Sequence, residues 1–399
     1  MAIEDREAYI VAARRTPVGK APRGALRHTR PDDLLAHSMR AALADVPAVD
    51  PGAIEDVIVG CAMPEGEQGM NVARIALLLA GLPDRVPGVT VNRFCASGLD
   101  TVARAAERIR LGEADLMLAG GTESMSLIPF MGSRPAFNPR IFADADVAIA
   151  YGMGITAERV AERWQVSRED QDAFALESHQ RALAAQEAGH FAAEIAPVEA
   201  VERRPDLEGG QVAESRRSVD ADEGPRADTS AERLAGLRPV FAARGSVTAG
   251  NSSQMSDGAA AVLVASGAAV RRHDLQPLAR FAGYAVAGVA PEIMGIGPVE
   301  AVPRVLRRAG LTSGDLDWIE LNEAFAAQSL AVIRDLDLDP ARVNPLGGAI
   351  ALGHPLGATG AVRTASVVHG LRRTGGQWGM VTMCVGTGMG AAGLFEGIH

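Results

Sequence analysis

The strongest constraint on this chain is that it repeats itself. Residues 46–66, VPAVDPGAIEDVIVGCAMPEG, and residues 309–328, AGLTSGDLDWIELNEAFAAQ, follow one plan: a short acidic turn, an apolar strand, then a polar loop. Residues 95–125, CASGLDTVARAAERIRLGEADLMLAGGTESM, and residues 354–390, HPLGATGAVRTASVVHGLRRTGGQWGMVTMCVGTGMG, follow a second. Each of these begins on a reactive residue, enters an amphipathic helix through glycine, turns at glycine and ends in a buried strand. Self-similarity of this kind marks a duplicated supersecondary unit. The chain therefore reads as two related α/β halves, 1–270 and 271–399, joined at residues 271–277. Repeated strand–helix–strand units predict mostly parallel sheets with helices on their faces.

The halves are unequal, and the extra material lies at about 122–247. Residues 154–193 have helical periodicity with charged faces, and Ser167 followed by Glu169 and Asp170 reads as a helix start. Residues 202–232 are rich in Arg, Asp, Glu and Gly and read as surface loop. This insertion is expected to lie over one face of the fold. Hydrophobic residues make up 47% of the 399, enough for a large core, and at 4% aromatics that core is built from Ala, Val, Leu and Ile. The net charge of −10 is spread along the chain, which argues against nucleic acid or an anionic membrane as partner. No signal peptide, membrane span or peroxisomal tripeptide is legible, so a soluble cytoplasmic protein is expected.

Chemistry can sit at four seams. Cys95 lies between a strand and a helix, where the helix dipole and free N–H groups favour a thiolate; its ordinary alternative is a buried structural cysteine. His354 sits in NPLGGAIALGHPLGATG, where dense glycine shapes the backbone beside a group that titrates near neutrality; the alternative is a capping histidine. Cys384 ends a buried strand before Gly386, Gly388 and Gly390, a turn able to build an oxyanion hole; the alternative is a core cysteine. Asn322 and Glu323 follow an apolar strand, as site residues or as a helix cap. Cys61, Cys95 and Cys384 show no metal spacing, and no metal is expected. Taken together, two thiols and an imidazole at equivalent seams suit reversible acyl transfer through a thioester.

At this point the sequence resembles the thiolase family over nearly its whole length. The carrying motifs are VNRFCASGL, GGTESMS, VTAGNSSQMSDGAAA, NEAFAAQ, NPLGGAIALGHPLGATG and CVGTGMG, spread in order from residue 91 to 390. The resemblance implies a five-layer αβαβα fold with a loop domain over the site. It also implies roles. Cys95 is the acylated nucleophile, His354 its base, and Cys384 the acid/base at carbon. Asn322 holds a water in one oxyanion hole with His354 as the other donor, and the N–H groups of Cys95 and Gly386 form the second. Ser253 contacts the pantetheine arm and Arg226 the adenine nucleotide. Tyr151, Gly152, Met153 and Gly154 stand where biosynthetic acetoacetyl-CoA thiolases commonly carry His-Met-Gly, with Met153 among the substrate-binding residues. Glycine at 152 leaves room for longer or bulkier acyl chains, so the degradative branch is favoured: 3-oxoacyl-CoA cleavage with coenzyme A as co-substrate and no bound cofactor. Acetoacetyl-CoA thiolase and a non-catalytic acyl-CoA-binding relative are the alternatives. A homodimer or homotetramer is implied, and a hydratase/dehydrogenase of β-oxidation is a candidate partner whose existence the sequence leaves open. A carrier-protein ketosynthase usually has a second histidine at Asn322 and lacks Cys384. A dinucleotide oxidoreductase would need GxGxxG after the first strand, which is absent.

Overall fold

The computed structural model describes residues 3–143, 152–206 and 209–399. The chain begins β1 (Ala8–Arg15), β2 (Gly19–Lys20), α1 (Pro31–Ala44), β3 (Asp56–Gly60), α2 (Val72–Leu79), β4 (Gly88–Val91), α3 (Ser97–Arg110) and β5 (Leu116–Ser124). An insertion follows, with α4 (Arg140–Ala143), α5 (Met153–Arg163), α6 (Arg168–Glu187), β6 (Val198–Asp206), β7 (Gln211–Val219) and α7 (Ala231–Ala235). Then come β8 (Ser256–Ser266) and α8 (Gly267–Arg272). The remainder is β9 (Ala279–Gly288), α9 (Gly297–Ala309), β10 (Trp318–Leu321), α10 (Ala326–Asp335), α11 (Ala349–Leu352), α12 (Leu356–Thr374), β11 (Trp378–Val385) and β12 (Met389–Gly397).

The strand order makes the duplication visible. The long path runs β10-β11-β12-β9-β1-β8-β5-β3-β4. Read outward from its middle, β1-β8-β5-β3 and β9-β12-β11-β10 are the same arrangement. Even β4 has a counterpart, because Val343 bridges in parallel to Ile319 of β10. The two arms join where Tyr9 and Ile10 pair with Arg280 and Ala279.

Mostly parallel sheets, however, are not what forms. β3 is parallel to β4 and β5, and β10 to β11. β8 and β1, and β12 and β9, run antiparallel to their neighbours. In the second arm the connection dictates this. Only residues 386–388 separate β11 from β12, and a parallel crossover needs a dozen or more residues. The same connection in the first arm, between β5 and β8, carries the insertion.

Five layers result. α3 and α12 pack against each other between the two arms, α1 and α2 cover the outer face of the first arm, and α9 and α10 that of the second. Side chains alternate across a strand, so β5 sends Met117 and Ala119 to the central helices and Leu116 and Leu118 to the outer ones. A strand covered on both faces needs no polar side, which explains its continuous apolar run. α12 is the inmost helix: 15 of its 19 residues are buried. Its one buried cation, Arg363, faces the carboxylate of Glu320 at 3.4 Å.

The central helices meet at glycines. A Cβ on Gly98 would lie 2.6 Å from the backbone nitrogen of Ala361, and one on Gly360 would strike the backbone of Leu99. Backbone therefore touches backbone where the two halves cross.

The insertion has the two expected helices, and the Ser167 hydroxyl caps α6 by accepting from the Asp170 N–H at 3.0 Å. Residues 202–232 are not simply loop. They contain most of the β6–β7 hairpin and the start of α7. β7 is exposed along nearly its whole length, so it shows no apolar alternation from which a strand could be read. The insertion is pinned to β1 by Arg15, fully buried, which donates to Glu194 at 2.7 Å and to Asp222 at 2.7 and 2.9 Å. Removing one partner of such a buried set costs about 3–5 kcal/mol, because a charge is left uncompensated.

Candidate active site

Three of the residues singled out in the sequence, Cys95, Asn322 and Cys384, lie at or just past the ends of strands, where α/β sheets present loops to ligands. Cys95 occupies a 3-10 turn, Phe94–Ala96, between β4 and α3. That turn is tightly specified. Phe94 has φ +43°, a left-handed value uncommon for a bulky residue. Its N–H donates to Asn92 Oδ1 at 2.8 Å. The Ser97 hydroxyl donates to the Phe94 carbonyl at 2.7 Å and accepts from the Arg93 N–H at 2.8 Å. Arg93 in turn is held by Asp100 at 2.8 Å.

The thiol is not poised as a thiolate, contrary to the sequence expectation. Desolvation pushes Cys95 up to about 11, although the N–H groups of Gly386 and of Cys95 itself act in the opposite direction. The helix end and its donors are present, but loss of water outweighs them. The Gly386 N–H contact also links the β11–β12 turn to the first half of the chain.

His354 lies two residues before α12, the position that Cys95 holds before α3. The ring is buried, and burial, with Arg363 nearby, lowers it to about 3. Nδ1 lies 2.7 Å from Thr359 Oγ1, and Nε2 lies 3.3 Å from Asn322 Nδ2. In this amide orientation Asn322 can only donate there, so Nε2 is the lone-pair nitrogen and Nδ1 carries the proton. The result is a neutral imidazole with its basic nitrogen on the Asn322 side. Asn322 follows β10, and its N–H donates to Thr382 on β11 at 2.9 Å. Its Oδ1 is buried without a hydrogen-bond partner among the described residues. A carbonyl left so asks for a donor, which a water or a ligand can supply.

Cys384, near the end of β11, is fully buried among Ala157, Val247, Met294, Ala324 and Phe325, with Met153 packed against them. Burial pushes its thiol far up, and the neighbouring Cys95 adds to the rise. The structure thus brings both thiols into one electrostatic neighbourhood. Met153 opens α5, and its sulfur lies close to Gly386, 3.8 Å from where a Cβ there would be. A Cβ on Gly152 would meet no described atom within 4 Å. Tyr151 lies outside the described residues.

Family models place the chain at this point: "Thiolase, N-terminal domain" matches residues 8–268 and "Thiolase, C-terminal domain" matches residues 275–397. The chain belongs to the thiolase family. It is 52% identical over 395 residues to the 3-ketoacyl-CoA thiolase of Bacillus subtilis, covering 98% of this chain and 99% of that one. It is 50% identical over 404 residues to the beta-ketoadipyl-CoA thiolase of Pseudomonas knackmussii, covering 97% and 98%. The fold is shared with human mitochondrial 3-ketoacyl-CoA thiolase, at TM-score 0.88 and 40% identity over 99% of this chain and 100% of that one. Bacillus anthracis acetyl-CoA acetyltransferase gives TM-score 0.87 and 40% identity over 98% and 99%. The chain is therefore an acyltransferase of the thiolase family, with the fold read from its sequence.

Two of the residues assigned to coenzyme A in this thiolase lie further out. The Ser253 N–H donates to the Ala324 carbonyl at 2.9 Å, which sets it beside the loop of Asn322. Arg226 is on the surface. Its N–H donates to His179 Nδ1 at 3.2 Å, and its guanidinium bonds Asp228 at 3.2 Å, with no described contact to either thiol or to His354. One residue at the centre was not singled out in the sequence. Glu123, within GGTESMS, is fully buried beneath the loops that carry the site. Its partners are distant in sequence, and an acid among small residues gives no local signal.

Proposed function

We propose that this thiolase cleaves 3-oxoacyl-CoA with free coenzyme A, giving acetyl-CoA and an acyl-CoA shortened by two carbons. What supports this is the sharing of one electrostatic neighbourhood by Cys95 and Cys384, together with a neutral His354 held by Asn322 and Thr359 and a Gly152 whose Cβ would meet no described atom within 4 Å. Cys95 attacks the 3-oxo carbon as His354 Nε2 takes its proton. The resting pair is neutral, so the transfer is driven as the sulfur bonds to carbon. The 3-oxo oxygen becomes an oxyanion and accepts from the N–H groups of Cys95 and Gly386. Collapse breaks the bond between C2 and C3, and the electron pair passes from C2 onto the thioester oxygen. Donors at His354 and at a water held by Asn322 stabilise that charge, by several kcal/mol for a preorganised hole. Cys384 gives its proton to C2, and the proton on His354 restores it. In the second half-reaction His354 deprotonates coenzyme A, whose sulfur takes the acyl group from Cys95, a ping-pong scheme. Ser253 and Arg226 are assigned to the pantetheine arm and the adenine nucleotide.

The side chains around Cys384 and Met153 are apolar, which suits a neutral acyl chain rather than the terminal carboxylate that the beta-ketoadipyl-CoA relatives accommodate. Thiolysis rates across 3-oxoacyl-CoA substrates from four carbons upward, with 3-oxoadipyl-CoA alongside, test the assignment. Turnover is expected beyond four carbons and above that of the dicarboxylic substrate. Activity confined to acetoacetyl-CoA would instead indicate the acetyltransferase alternative. Gly152→His fills the open space and should tilt preference towards acetoacetyl-CoA. Long chains should lose about 1–3 kcal/mol, the scale on which pocket volume discriminates.

A further inference from the structure

Glu123, the next-to-last residue of β5, holds a buried carboxylate on which four nitrogen donors converge, with the Cys61 thiol also donating to it at 3.8 Å. The N–H groups of Ala62, Met63 and Gly357 reach it at 2.8, 3.2 and 2.9 Å, and the side-chain amide of Gln68 also donates to it. Among the groups acting on it no cation is prominent; hydrogen bonds alone oppose the cost of its burial. A buried carboxylate held this way is expensive to keep, and its connections indicate why it is kept.

One connection leads to the nucleophile. Ala62 and Met63 form the loop after β3, and the Ala62 carbonyl accepts from Asn92 Nδ2 at 2.9 Å. The other end of that amide, Oδ1, accepts from the N–H of Phe94 at 2.8 Å, and Phe94 directly precedes Cys95. The second connection leads to the imidazole. Gly357 lies in the first turn of α12, and Thr359 in the same turn bonds His354 Nδ1 at 2.7 Å. A single oxygen, Oε2, accepts from both Ala62 and Gly357. The loop behind Cys95 comes from the first half and the helix behind His354 from the second. This one atom is thus a hydrogen-bonded tether that the two share.

We propose that Glu123 is a positioning residue of the thiolase reaction, its carboxylate fixing Cys95 and His354 relative to each other across the two halves. This rests on the reading of Cys95 as nucleophile and His354 as base. The chemistry of the tether makes it testable. A carboxylate is acceptor-only, whereas glutamine of the same shape presents an NH2 group to one set of the converging donors. Glu123→Gln therefore keeps the volume and breaks part of the tether.

The experiment compares the full-length wild type, Glu123→Gln and Asn92→Ala for thiolysis kinetics, rate of Cys95 alkylation by iodoacetamide, and melting temperature. Glu123→Gln should lower kcat by about 100-fold, the scale of a small misplacement of reacting groups, with the KM for coenzyme A held within about threefold. A residue that only held the fold together would lower the melting temperature without separating kcat from KM in this way. Asn92 is exposed, so its removal cuts one connection without opening the core. If Glu123→Gln does not fold, Asn92→Ala decides. A kcat loss of about tenfold or more at unchanged melting temperature, with slowed alkylation of Cys95, supports the proposal; unchanged kcat overturns it. Folded Glu123→Gln enzyme with kcat within about threefold of the wild type also overturns it. A wild type that turns over no 3-oxoacyl-CoA overturns the functional reading beneath it, an outcome visible before any variant is made.

Discussion

Cys95→Ser is expected to lose thiolytic and synthetic turnover on the order of a thousandfold or more while leaving the fold intact. Sulfur and oxygen differ little in size, and the 3-10 turn around Cys95 is held by Asn92, Ser97 and Arg93 rather than by the thiol. What changes is the nucleophile. A hydroxyl is a far weaker acid than a thiol, and the base beside it is already a weak one, with His354 lowered to about 3. In the wild type, brief exposure to an acyl-CoA should leave one acyl mass on the peptide containing Cys95, and none in the variant. An acyl group found on Cys384 instead would exchange the roles assigned to the two thiols.

Cys384→Ala should separate the two halves of the chemistry. Making and breaking the carbon–carbon bond needs a proton at C2, and that step should fall by two to four orders of magnitude, the usual contribution of a positioned acid or base. Acyl exchange between Cys95 and coenzyme A involves no carbon acid and should retain a substantial fraction of its rate. Comparing steady-state thiolysis with exchange of labelled coenzyme A into an unbranched acyl-CoA measures both. Loss of one sulfur atom from this buried position removes roughly a methyl's worth of packing and costs about 1 kcal/mol, too little to unfold the enzyme. Equal loss of both activities in folded protein would remove the case for a separate acid at carbon.

The duplication could be read because both halves keep the same punctuation: a polar loop after an apolar strand, and a reactive residue two positions before an amphipathic helix. Strand direction could not be read the same way. β8 and β12 are buried on both faces, so their apolar runs carry no alternation and no orientation. The three residues between β11 and β12 carry two meanings at once, a source of backbone donors and a hairpin too short for a parallel crossover. The state of Cys95 is illegible in the sequence for a different reason. Sequence shows the helix that follows but not how much water the surrounding chain excludes. Glu123 was hidden because its donors come from residues 62, 63, 68 and 357. Only the folded chain gathers them.

The crossing of α3 and α12 at Gly98 and Gly360 bears on how such an enzyme can change over generations. Where main chain rests on main chain there is no side chain to shrink, swell or rotate. Substitutions in the outer layers can alter core volume, and substitutions around residues 152 and 153 can change what packs against Cys384, without feeding into that crossing. Reaction and selectivity are thereby carried by separable parts of one polypeptide. Changes can be sampled in the insertion, one mutation at a time, while the two helices that follow Cys95 and His354 stay crossed where the two glycines put them.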